Sequence, residues 1–98
     1  MYKSTWNLRN FKKCLRLVEE ISRQDTDRDV NYALGYCTAH IKEQRKHGRI
    51  TRNQEKALID LAFEAANDTV RDIAKDEEDA NRRAIAVLNF DEITGADD

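Results

Sequence analysis

Residues 51–75, TRNQEKALIDLAFEAANDTVRDIAK, carry the clearest single period in the chain. Leu58, Ile59, Ala62, Phe63, Ala66, Val70 and Ile73 recur at steps of three and four, the spacing that puts side chains on one face of an α-helix. A second pattern lies over the first. Asp60, Glu64, Asp68, Asp72 and Asp76 follow one another at intervals of four. Each step of four advances about 40° past a full helical turn, so the five carboxylates sweep about 160° round the cylinder. They wind about the helix instead of forming a stripe. Like charges at this spacing cost a few tenths of a kcal/mol per pair in an isolated helix. Something must offset that cost, either the basic face of the first helix or a basic surface on another molecule.

The start of this helix is well punctuated. Arg45, Lys46 and His47 precede Gly48, and cations in a last turn followed by glycine are the expected end of the preceding helix. Thr51 and Gln54 then have the spacing of a capping box. The far end is less marked. Asp76 has the chemistry of an N-cap for a new helix over 77–90, with Glu77, Glu78 and Asp79 favourable in its first turn. Against a break, Ile59, Ala66, Ile73, Ala80 and Val87 keep a seven-residue spacing across the junction, and no glycine or proline interrupts it. An unbroken helix over 52–89 would be about 57 Å long, too long for a compact monomer of this size. The expectation is therefore a break or kink at 75–79. Glu78–Arg82 and Asp79–Arg83 have ion-pair spacing in either case.

Upstream, Leu8, Phe11, Cys14, Leu15, Val18 and Ile21 form one helical stripe over about 7–24, behind a short flexible lead-in. Arg9, Lys12, Lys13 and Arg16 load the opposite face at the end where the helix dipole disfavours cations. Asp25-Thr26-Asp27 is a polar break with Thr26 and Asp29 in capping positions. A second helix follows over about 28–46, with Val30, Ala33, Leu34, Cys37 and Ile41 inward and Tyr32 and Tyr36 beside them. Gly35 sits mid-helix, where it costs about 1 kcal/mol against alanine. A close helix crossing or a ligand against bare backbone would account for it. The predicted fold is all-α, a single domain built as a small antiparallel bundle of three or four helices (about 7–24, 28–46, 52–75 and 77–90), with a frayed acidic tail over 91–98. Its expected core adds Ile85 and Leu88 to the stripes named above.

The totals agree with this reading. The chain has 98 residues, no proline and three glycines, with 40% hydrophobic and 37% charged residues. A β-rich fold would need more turn residues. No apolar run is long enough to span a membrane, and the N-terminal MYKSTWNLRNFKK has no signal-type apolar core, so a cytoplasmic setting is expected. The net charge of −2 conceals a split: residues 1–56 hold 13 Lys/Arg against 7 Asp/Glu, and residues 57–98 hold 4 against 12. The plainest expectation is that the two halves fold together and neutralise, with the outward part of the carboxylate ladder over Asp68 to Asp76 left for a partner.

Little in the chain suggests catalysis. No serine stands near a histidine in a nucleophile context and no glycine-rich phosphate loop exists, so an enzyme is not expected. Cys14 and Cys37 fall level if the first two helices fold back on each other, and His40 is one turn from Cys37. A zinc site needs four ligands, or three and a water, and His47 is too far along the axis to complete one. Two buried thiols are the better reading, with no metal and no cofactor. Two charged groups remain as candidate sites. The ladder Asp60, Glu64, Asp68, Asp72 and Asp76 would bind another protein. The hairpin tip Lys42, Arg45, Lys46, His47, Arg49, Arg52 and Lys56 would bind phosphate or nucleic acid, though it lacks the interleaved aromatics of single-strand binders. The leading expectation is a non-enzymatic regulatory or interaction protein, an adaptor or inhibitor. Nucleic-acid binding through 42–56 is the first alternative. A structural homo-oligomer, joining the acidic half of one chain to the basic half of another, is the second.

Overall fold

A computed structural model describes the backbone of residues 2–96 and the side chains of residues 7–88. It is all-α: α1 spans Tyr2–Ile21, α2 spans Asp27–Lys46 and α3 spans Arg52–Ala96, with no strand among the described residues. Each helix packs against the other two.

The local signals set the boundaries. Ser22 and Arg23 donate backbone bonds to the carbonyls of Glu19 and Glu20, which tightens the end of α1, and the Gln24 side chain donates to the Glu20 carbonyl at 2.8 Å. α1 thus ends at Ile21, three residues before the expected end, and it begins at Tyr2 instead of after a flexible lead-in. Thr26 caps α2 by accepting the Asp29 N–H at 3.1 Å. Gly48 takes φ +70°, a left-handed conformation that favours glycine, and Gly48 and Arg49 donate to the carbonyls of Arg45 and Gln44 to close α2. The Thr51/Gln54 box forms in both directions: Gln54 N–H donates to Thr51 Oγ1 at 3.1 Å, and Thr51 N–H donates to Gln54 Oε1 at 2.8 Å.

The break expected at 75–79 does not occur. α3 runs unbroken for 45 residues, and residues expected in a frayed tail continue it to Ala96. Positions 75–79 contain no residue that prevents helix, and Arg82 bonds Glu78 at 2.6 Å across the junction. The Asp79–Arg83 pair does not form. The molecule is an elongated body of 79 × 19 × 15 Å.

The core is Cys14, Val18, Ile21, Val30, Cys37, Ile41, Ile50, Leu58, Ala62 and Ala66, flanked by half-buried Phe11, Leu15, Leu34, Ile59, Val70 and Ile73. Four residues expected in it lie on the surface: Leu8, Phe63, Ile85 and Leu88 are 50%, 49%, 57% and 65% exposed. Asn10, buried on α1, donates to the Arg49 carbonyl at 3.2 Å. At the opposite end Ser22, Gln24 and Asp25 line a cleft with Asp72, Asp76 and Glu77. These two contacts fix the topology: α1 and α3 run the same way, with α2 reversed against them. The α1–α2 turn therefore ends level with Glu77, and α3 continues past it alone.

Gly35 is not a close crossing. A Cβ built there meets nothing within 4 Å.

Candidate functional site

The shared direction of α1 and α3 sorts charge along the long axis. The basic front of α1 lies beside the α2–α3 turn, because Asn10 is tied to Arg49. Arg9, Lys12 and Lys13 therefore join Lys42, Arg45, Lys46, His47, Arg49, Arg52 and Lys56 at one end of the body. All are exposed except Arg45, which is half-buried. Within this end only His47 is ion-paired among the described residues, to Glu43 at 2.7 Å. That hydrogen bond, with the charge behind it, holds the Glu43 carboxyl below its usual range. Acidic residues here are few, chiefly Glu43 and Glu55.

The ladder lies along α3 away from that end. Asp60, Glu64, Asp68, Asp72 and Asp76 are all exposed. Asp60 is still among cations, in a shallow hollow with Arg52 and Lys56. Asp68 approaches Arg71 on the same helix at 4.0 Å. The other four carboxylates make no ion pair with any described residue. The expected neutralisation by the basic face of α1 does not take place. Every ion pair among the described residues joins side chains three or four positions apart in sequence, within a helix or its C-terminal turn. Parallel packing explains this, since it places the cations of α1 level with the start of α3, ahead of most of the ladder.

The winding of the ladder has a structural consequence. With Leu58 at 0°, buried Ala62 lies at about 40°, Thr69 at about 20° and Ala66 at about 80°, and Asp76 returns to 0° on this inward face. The core ends there because the position that continues the face is a carboxylate. Asp72 and Asp76 then meet Asp25 of the α1–α2 turn and neighbouring Glu77 around the cleft. This end of the ladder faces further acid, not base. Ser22 and Gln24 add neutral polar groups. A cleft of this make-up accepts guanidinium or ammonium groups, and exposed pairs of that kind set specificity and association rate more than affinity.

The two thiols behave as read. Cys14 and Cys37 are both buried and unpaired with each other as a disulfide. Burial raises the Cys14 thiol, and burial together with nearby Cys14 pushes Cys37 up to about 11. Both shifts favour the protonated thiol. No cluster of His, Cys, Asp or Glu able to hold a metal exists among the described residues, and none of their helices is long and apolar enough to cross a membrane.

Two surface features escaped the sequence. Tyr32 and Tyr36, 77% and 59% exposed, border an apolar groove between α1 and α2 with Leu17 and Ala33. Their four-residue spacing was visible, but not that they lean outward. The far part of α3 exposes Ile85, Val87 and Leu88 together. The seven-residue spacing that reaches Val87 was the available signal. The chain matches no known family model, and comparison with curated proteins and with solved structures found no match.

Proposed function

We propose that the chain is a non-enzymatic interaction protein, a small regulator, adaptor or inhibitor that occupies a basic surface of another protein. Its scaffold is the antiparallel helical bundle read from the sequence, with three helices. The observation that carries this reading is the state of the ladder: Asp60, Glu64, Asp72 and Asp76 are exposed and without an ion-pair partner among the described residues. Winding four-residue spacing spends stability on like-charge proximity, and among the described residues only Arg71, at 4.0 Å from Asp68, pairs with the ladder. A partner bearing Arg or Lys supplies it. Asp72 and Asp76, backed by Asp25 and Glu77, form the densest part of the surface. The test is capture of a host partner by the wild-type chain and by a chain with all five ladder residues changed to Asn or Gln. A partner lost with the neutralised ladder supports the reading. A partner held equally by both chains contradicts it.

Binding of nucleic-acid phosphate at the opposite end is a second reading. It is favoured by the convergence of Arg9, Lys12 and Lys13 with the cations of 42–56, which the Asn10–Arg49 bond brings about. Affinity for DNA or RNA would then fall steeply as salt rises. Flat anisotropy titrations at low salt would dispose of it.

A further inference from the structure

The groove between α1 and α2 lies next to the turn that joins them. Leu17, Ala33, Tyr32 and Tyr36 line it with apolar surface, and Glu20, Gln24 and Asp29 add polar groups. Tyr32 and Tyr36 are 77% and 59% exposed. They stand one helical turn apart, with Cβ atoms about 6 Å from each other. Aromatic side chains concentrate in protein interfaces because they bury a large area at little cost in conformational freedom. Their ring faces also attract guanidinium and ammonium groups.

The groove runs into the acidic cleft. Gln24 lines both, and beyond it the cleft presents Asp25, Asp72, Asp76 and Glu77. Among the described residues no lysine or arginine lines either hollow. Glu20 is held by Arg23 at 2.7 Å. Asp25, Asp29, Asp72, Asp76 and Glu77 have no ion-pair partner among the described residues. This combination narrows what can dock. A cation alone matches the cleft and leaves the tyrosines bare. An apolar side chain alone fills the groove and desolvates carboxylates without a counter-charge. An acidic partner or a nucleic-acid backbone is repelled along the whole length.

We propose that groove and cleft form one docking surface for a segment of a partner protein in which an apolar side chain stands beside arginine or lysine. The apolar side chain enters between Leu17, Tyr32 and Tyr36, and the cation meets Asp72 and Asp76. Resting on the reading that the ladder engages a basic partner, the groove adds the apolar anchor that partner carries. Such an anchor supplies affinity that exposed ion pairs alone do not.

Selection from a display library of random peptides on the immobilised full chain tests the surface. Enriched sequences should pair Leu, Ile, Phe or Trp with Arg or Lys. Synthetic copies of them should bind the wild-type chain less tightly as salt rises. Tyr32→Ser with Tyr36→Ser should weaken them about tenfold or more, with helical circular dichroism confirming that the variant folds. Asp72→Asn with Asp76→Asn should weaken them by a similar factor. No enrichment, or enrichment of acidic or uncharged sequences, overturns the proposal. Peptides indifferent to the tyrosine variant overturn it too, and if they still depend on Asp72 and Asp76 the ladder reading stands while the groove falls. Peptides that need the tyrosines and not the carboxylates also overturn the joined surface. A free chain that dimerises in sedimentation equilibrium, with the dimer lost in the tyrosine variant, assigns the groove to a second copy and contradicts the proposal.

Discussion

The two parts of α3 share one helix and one seven-residue pattern, yet differ in what that pattern meets. In the first part Ile59, Ala66 and Ile73 pack on or into the core. In the second, Val87 is 59% exposed. Periodicity says which residues share a face. It does not say whether the rest of the chain reaches far enough to cover it. α1 and α2 are 20 residues each, about 30 Å long, and α3 has 45 residues. The surplus is the arm.

The sharpest contrast comes from truncating one leucine in each part. Leu58 is fully buried and Leu88 is 65% exposed. Leu58→Ala should destabilise by about 2–5 kcal/mol through lost burial and the cavity left behind. Leu88→Ala should change the stability of the dilute monomer by less than about 0.5 kcal/mol. Urea midpoints of both variants check this, and equal losses would erase the distinction between covered part and arm. The entry to the covered part offers a smaller effect. Thr51→Ala removes one half of the capping box and should cost about 1 kcal/mol, read as a lower thermal midpoint.

Gly35 extends the comparison to α2. It is exposed helix surface within the packed part, and an added Cβ meets nothing. Gly35→Ala should therefore stabilise the chain by about 0.5–1 kcal/mol. A loss of stability would mean that the backbone there is needed bare. A further effect is a pH dependence in the covered part. Cys37 is raised from 9.0 to about 11 in the fold. Above about pH 9 the unfolded chain loses its thiol proton first, so this group lowers stability as pH climbs towards 11. Cys37→Ala should flatten that part of the stability profile.

Much of the fold could be read from the residues because the signals were local. Gly48, Thr51 and Gln54 act within a few residues of each other, so their chemistry set the α2–α3 boundary without tertiary knowledge. The three apolar stripes were likewise complete within their helices. The junction at 75–79 misled because an Asp with acids behind it suits a helix start and a helix interior alike. Phe63 was assigned to the core from its spacing, yet it lies about 100° round from Ala62, at the margin that α1 and α2 do not cover. Ile50 and Asn10 could not be placed, since one lies in a turn outside any stripe and the other is a polar residue whose partner is Arg49, far along the chain. The charged groups were found as residues. Their arrangement was not, because it depends on the register of α1 along α3, which the long-range contact of Asn10 with Arg49 marks.

α3 is one continuous helix whose second part packs on nothing among the described residues. Amide hydrogen exchange followed along α3 tests this most directly. At high dilution, amides of 58–73 should be protected close to the level of global unfolding, while those of 80–94 exchange faster by orders of magnitude. Uniform protection along α3 at high dilution would contradict the account.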